Sequence, residues 1–410
     1  IFVLGGSTVQ GRPWSIPTSF TTFLQQALSA ADPERSWEVV NCGGISYASY
    51  RLVPIMTECL SYEPDLFIVC TGHNEFLEDV TYADHKETSG VVPQATEWLQ
   101  HLRSFRAVRQ LIHSGPTTSV DRPVLPAEVD ALLDHQGGLE MFRRDDGHAQ
   151  DVVRHFRSNL LRMTGLARQH HIPLLMLQPP SSLVDCPPFK SQLSVTDPAL
   201  VSRVRDSVHA ASEPGRTPAE SIQLLQSATQ VDERFAFAWY QLGHALIADR
   251  RFHEAVDAFV RARDEDICPL RMTSPLEQTM HSVVEETGTP FVNLHEFLAG
   301  HCANGLVGDQ VLCDHIHPSF RSHHDMALLI CEWMMDSGLV KTPPDADAWQ
   351  RTCRRQFEAH LTSLDNLYFL RGQRALEDLK GWAAGRAEGP PVMKNRKQDR
   401  EPPDINSEGL

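Results

Sequence analysis

No stretch of the 410-residue chain approaches the roughly 18 consecutive apolar residues of a membrane-spanning helix; the best runs are interrupted within a few positions. Nor is there an excess of positive charge. Acidic side chains outnumber basic ones by 53 to 37, for a net charge of −16, which repels phosphate backbones and argues against nucleic acid as a partner. The nine cysteines include no C-x-x-C pair, which speaks against zinc ribbons and thioredoxin-type sites. Their odd number leaves at least one thiol free or paired with another chain. A start methionine is also missing: Ile1-Phe2-Val3-Leu4 already reads as a buried strand, so upstream residues are expected, and any signal peptide or anchor would lie among them. What is present is ordinary for a globular protein of two to three domains, with 41% hydrophobic and 22% charged residues.

Five short apolar runs read as buried parallel strands: Ile1–Leu4, Trp37–Asn41, Leu66–Thr71, Pro173–Leu177 and Pro290–Leu294. Helical patterns lie between them. Ser19–Ala30 carries Phe20, Phe23, Leu24, Ala27 and Leu28 on one face, and Ser319–Asp336 carries Ala327, Leu328, Ile330, Cys331 and Met334. Strands alternating with helices predict a three-layer α/β fold with a parallel sheet, whose ligands bind beyond the carboxyl ends of the strands. Cys42 and Cys70 read as core residues of such strands. Cys186 and Cys268 flank an insertion and are candidates to bridge it.

The core is expected to run over residues 1–200 and to close over 271–340. A helical insertion at about 84–151, with a helical piece at Trp98–His113, suits either a lid or a surface embellishment. The second insertion, 201–270, has a legible spacing: Trp239, Leu242, Gly243, Leu246, Ala255, Phe259, Ala262, then Pro269. This resembles one tetratricopeptide repeat, preceded by half of another at Ser221, Leu225 and Ala228. Such a piece is too short for an independent peptide groove, so a packed add-on is the plainer reading and a protein-binding module the other. A helical extension over 341–385 and a disordered Pro- and charge-rich tail over 386–410 complete the expectation.

Four short motifs fall at or just after predicted strand ends. Gly5-Gly6-Ser7-Thr8 allows a sharp turn that presents a serine hydroxyl at the rim of the sheet; a helix N-cap is the plainer role for that serine. Asn41-Cys42-Gly43-Gly44 offers a backbone N–H unobstructed by a side chain, or is an ordinary turn. Thr71-Gly72-His73-Asn74-Glu75 places an amide that can donate to an oxyanion, or an Asx turn. Asp314-His315-Ile316-His317-Pro318 sets a carboxylate three residues ahead of a histidine, where it can fix the tautomer and leave Nε2 as a base. His315, His317, His323 and His324 also crowd this stretch as a metal cluster would, but no two of them form an H-E-x-x-H pair.

Taken together and in this order, the four motifs resemble the SGNH (GDSL-type) hydrolase superfamily, over Ile1–Glu78 and Cys302–Gly338. The resemblance implies a flavodoxin-like α/β/α fold and a serine esterase that needs no cofactor or metal. In it Ser7 is the nucleophile, His317 the base and Asp314 its orienting carboxylate. The N–H groups of Ser7 and Gly44 and the Asn74 side chain form the oxyanion hole. His73, Glu75 and Arg51 are candidate substrate contacts. The substrate would be a small-molecule or carbohydrate ester, with an O-acyltransferase using the same triad, or a non-catalytic interaction protein, as alternatives. Relatives with this layout are often tethered by an upstream membrane helix and work outside the cytoplasm. Two positions depart from the family pattern: Gly6 stands where Asp is usual, and Glu75 where Asp is usual. Ser46, in Gly44-Ile45-Ser46-Tyr47-Ala48, is a rival nucleophile that lacks the closing glycine of the α/β-hydrolase elbow.

Overall fold

In a computed structural model of the protein the described residues are 1–77, 129 and 138–383. Strands β1 (Phe2–Gly5), β2 (Val40–Gly43), β3 (Phe67–Cys70), β4 (Leu174–Gln178) and β5 (Phe291–Asn293) form one five-stranded parallel sheet, in the order β2-β1-β3-β4-β5. Helices α1 (Ser7–Gln10), α2 (Phe20–Ala31), α3 (Ser49–Cys59) and α4 (Asp146–Gln169) lie between the first four strands. After β4 come α5 (Pro198–Ala211), α6 (Pro218–Val231), α7 (Ala236–Ala248) and α8 (Phe252–Asp264). Then α9 (Ser274–Thr287) leads into β5, followed by α10 (Leu294–Ala299), α11 (Phe320–Asp336), α12 (Ala346–Ser363) and α13 (Asn366–Ala383).

Successive side chains of a strand point to opposite faces, and here both faces are apolar. Val3, Ile68, Cys70, Leu175 and Leu177 pack with α2, α11 and α12, through Phe20, Leu24, Met326, Ile330 and Trp349. Leu4, Phe67, Val69, Leu174 and Met176 pack with α3, α4 and α9, through Leu52, Met56, Phe156, Leu160 and Met280. Helices thus cover both sides of the sheet. Helix α12 is fixed on α2 by the Trp349 indole, which donates to the Ala27 carbonyl at 3.1 Å.

The second strand begins later than its apolar run suggests. β1 starts at Phe2, and the ladder pairs Phe2 with Val40 and Gly5 with Gly43. The neighbour's register, not the hydrophobicity of Trp37 and Val39, sets the bounds. The pattern over Asp345–Ala384 is likewise two helices, broken between Ser363 and Asn366. Cys186 and Cys268 are buried free thiols in one apolar cluster, not a bridge. The helical piece expected at 98–113 and the tail from 386 lie outside the described residues. Among the described residues no helix is long and apolar enough to cross a membrane.

Helices α5 to α8 stack each on the next around Val204, Ile222, Leu225, Leu242, Leu246 and Phe259. Thr217 and Glu220 form a reciprocal capping box with Pro218 in the first turn, which fixes where α6 starts. Gly243 makes the close approach of α7 and α8 possible: a Cβ there would lie 2.7 Å from the buried Phe259 ring. Arg144 reaches Glu265 at 2.8 Å and Arg234 reaches Asp146 at 2.6 Å, which ties the end of α8 and the turn before α7 to the start of α4.

Candidate active site

The strand order reverses between β1 and β3, and the crevice beyond their carboxyl ends is where a doubly wound sheet holds a ligand. Ser7 opens α1 directly after β1. Gly6 is the N-cap and makes no side-chain cap, so the Ser7 hydroxyl is not spent on capping. One carbonyl near the end of this short helix is held by side chains: Val9 O accepts from Asn41 Nδ2 and from Ser19 Oγ, both at 2.7 Å. The nucleophile candidate therefore stands on an anchored turn.

The histidine comes from a loop closed by an antiparallel bridge between Leu312 and Pro318, with Cys313 N–H donating to His317 O at 2.8 Å. Asp314 Oδ1 accepts the N–H groups of Ile316 and His317, each at 2.9 Å, and its Oδ2 lies 2.7 Å from His317 Nδ1. His317 Nε2 lies 2.8 Å from Ser7 Oγ. Thr8 Oγ1 donates to Ile316 O at 3.4 Å, so the two loops are joined beside the pair they present. All three side chains are buried. Burial alone would raise the Asp314 pKa, but the His317 and His315 imidazoles and the loop's N–H donors outweigh it and hold the carboxylate below its usual range. The imidazole bonds Ser7 and not Ser46, which sits on a turn with φ 60°.

Asn74 follows β3, and its Nδ2 donates one hydrogen to Tyr47 O at 3.1 Å, leaving the second for another acceptor. Gly6 is where this amide passes closest to β1's end: a Cβ on Gly6 would lie 2.7 Å from Asn74 Nδ2. The departure from Asp at this position thus goes with the amide's placement. Gly44, expected among the oxyanion donors, directly follows the end of β2. Its N–H donates to Gly5 O at 3.1 Å, because the β1–β2 ladder continues one bond further than the strand ends imply.

The three candidate substrate contacts are buried rather than displayed. Glu75 is 1% exposed and accepts from Ser49 N–H at 2.9 Å and Ser49 Oγ at 2.7 Å, with Thr71 Oγ1 at 3.4 Å. Asn159 on α4 donates to the same Ser49 hydroxyl at 3.1 Å. Glu75 is thus a strut between the Asn74 loop and the start of α3. Arg51 lies over the rings of Tyr47 and Tyr50, each at 5.6 Å, and donates to the Tyr50 hydroxyl. His73 Nδ1 accepts from Met272 N–H at 3.1 Å, and burial holds this imidazole neutral well below the ordinary histidine range. Burial likewise lowers His315 to about 4 and His323 to about 3. Among the described residues no three His, Cys, Asp or Glu side chains are grouped to hold a metal ion.

Burial raises the Glu75 pKa to about 7 against the opposing bonds from Ser49 and Thr71. A carboxyl raised above its unfolded value stabilises the fold below about pH 4.3, and this contribution is lost as pH rises through its folded value. Glu75→Gln removes the titration and keeps the shape. The thermal midpoint of Glu75→Gln minus that of the parent is therefore expected to rise between pH 4.5 and 7 and then level off. Melting curves of both proteins across pH 4–8 check this, and a constant difference would refute the strut's titration.

The serine–histidine–aspartate chain came from residues the sequence had singled out. Thr8, Tyr47, Ser49 and Asn159 had not been. Asn159 did leave a trace, as a polar residue within the buried stripe Val152, Phe156, Leu160 and Met163 of α4.

No protein-family model matches the chain, and no curated protein does. Among solved structures it is similar to a lipase/acylhydrolase from Enterococcus faecalis, at 12% identity over 84% of this chain and 98% of that one, with a TM-score of 0.37. It is also similar to a GDSL-like lipase from Bacteroides thetaiotaomicron, at 10% identity over 82% and 87%, with a TM-score of 0.34. A catalytic mutant of an acetylxylan esterase from Geobacillus stearothermophilus matches at 13% identity over 81% and 90%, with a TM-score of 0.33.

Proposed function

We propose that this chain is a serine esterase of the SGNH type, cleaving a carboxylic ester through an acyl-enzyme on Ser7. The observation that carries the reading is the continuous hydrogen-bonded chain from Ser7 Oγ through His317 to Asp314. His317 Nε2 takes the Ser7 proton as Oγ attacks the acyl carbon. The oxyanion that forms faces the Ser7 N–H, one of the first-turn donors without an intrahelical partner, and the second amide hydrogen of Asn74. For Gly44 to join them its N–H has to leave Gly5 O. The imidazolium then gives its proton to the departing alkoxide. Water enters and attacks the acyl carbon as His317 deprotonates it; the C–Oγ bond then breaks, His317 returns the proton to Ser7 Oγ, and the acyl group departs as a carboxylic acid.

Asp314 selects the tautomer with hydrogen on Nδ1 and balances the imidazolium. The neutral state of His73 and His315 supports this reading, since neither adds positive charge beside His317 as it protonates. Carbohydrate-borne O-acyl groups are the substrate class to test first, and the α7–α8 pair is read as a tetratricopeptide-like add-on to the catalytic unit.

A fluorophosphonate probe tests the proposal directly. The native protein is expected to be labelled on Ser7, as located by peptide mass spectrometry, with loss of activity toward p-nitrophenyl acyl esters. Labelling of Ser46, or no labelling at all, would overturn it.

A further inference from the structure

The nine cysteines are free thiols, and the active-site reading uses none of them. Two stand apart from the rest. Cys42, expected to be a core residue, is only half-buried on β2, an edge strand, and its Sγ lies 4.0 Å from the Sγ of Cys59. Cys59 is the last residue of α3, and both line an open groove of about 1140 Å³ at the amino-terminal end of the sheet, away from Ser7. A small reagent in that groove has a path to the pair.

We propose that Cys42 and Cys59 are a dithiol site that a small-molecule disulfide such as oxidised glutathione converts to a protein disulfide. This goes beyond the esterase reading and stands independently of it. The sulfurs must close by about 2 Å to reach the disulfide bond length. The elements that carry them are those that shift at least cost. Cys42 belongs to the outermost strand, and Cys59 ends a helix that continues only as a short 3-10 turn, Leu60–Tyr62.

The two thiols are also unequal. The hydrogen bond from Cys59 outweighs burial and lowers the Cys42 thiol, whereas that same bond and burial raise Cys59. Cys42 is thereby the attacking thiolate and Cys59 the resolving thiol. Cys42 S⁻ attacks one sulfur of the reagent, forms a mixed disulfide and releases one glutathione thiolate. Cys59 then loses its proton to solvent and attacks Cys42 Sγ, releasing the second glutathione. Overall, two protein thiols and one glutathione disulfide give one protein disulfide and two glutathione thiols. The closed loop spans Gly43–Glu58 and therefore contains Gly44, Tyr47 and Ser49.

The experiment uses the full native chain, treated with oxidised glutathione, capped with N-ethylmaleimide and digested with trypsin without reductant. Cleavage after Arg51 places Cys42 in Ser36–Arg51 and Cys59 in Leu52–Lys86, which also holds Cys70, so fragmentation of the linked pair between Cys59 and Cys70 identifies the bonded sulfur. That pair is expected as the main product, two hydrogens lighter than the sum of its parts. It should raise the thermal midpoint by a few degrees, reversibly with dithiothreitol and not in Cys59→Ser or Cys42→Ala. A stable glutathione adduct on Cys42, maleimide on both cysteines, or a link that appears only after denaturation would each overturn the proposal.

Discussion

Replacing Ser7 with alanine is expected to lower kcat for ester hydrolysis by roughly 10⁴-fold or more, with KM little changed. The side chain's hydrogen bond runs to His317, and Gly6, not Ser7, is the N-cap of α1, so the fold has little to lose. What the variant retains is the oxyanion donors and the binding crevice, which by themselves leave a residual rate above that of water. Steady-state kinetics on purified protein, with a thermal midpoint to verify folding, makes the check. Retention of more than a tenth of the parent's kcat would mean that another nucleophile carries the reaction.

Asp314→Asn should come close to the same loss, about 10⁴-fold in kcat at neutral pH, for a different reason. The asparagine oxygen still accepts the N–H groups of Ile316 and His317, which preserves the loop. Its amide nitrogen, however, donates toward His317 Nδ1 where a carboxylate accepted. That forces the hydrogen onto Nε2, and an Nε2–H cannot take the Ser7 proton. The prediction is thus specific to protonation state. The unfolding midpoint should fall at pH 7, because a carboxylate held below its usual range stabilises the fold there and the amide does not, while the fluorophosphonate labelling rate falls with kcat. A variant with normal labelling would show that Asp314 only shapes its loop.

The strands were legible because a sheet covered on both faces is built from continuous apolar runs, and Phe67–Cys70 and Leu174–Gln178 are such runs. β2 was misplaced because its bounds are a property of pairing with β1, which no local pattern contains. The juxtaposition of Ser7, His317 and Asp314 was legible because the carboxylate and imidazole lie three residues apart and Ser7 follows a strand directly. The fate of the Gly44 N–H was not, because a carbonyl on another strand decides it. Glu75 and Arg51 read as substrate contacts since charge in a site loop suggests solvent or ligand. Their burial against Ser49, Tyr47 and Tyr50 is tertiary information. Cys42 shows the same limit: an apolar run suggested a core thiol, whereas an edge strand leaves it beside a second sulfur.

The Ser7 hydroxyl and the His317 imidazole bonded to it are 310 positions apart in the chain. Closing a loop of that size costs little more than closing a shorter one, since each doubling adds only about 0.6 kcal/mol. Helices α5 to α8 therefore enlarge the separation at almost no thermodynamic penalty. Their effect is on timing. During synthesis Ser7 is made 310 positions ahead of His317, so a polypeptide that stops before His317 carries an ordinary serine. On the proposed reading, acyl transfer waits until the His317 loop has been made and has folded onto the Ser7 turn.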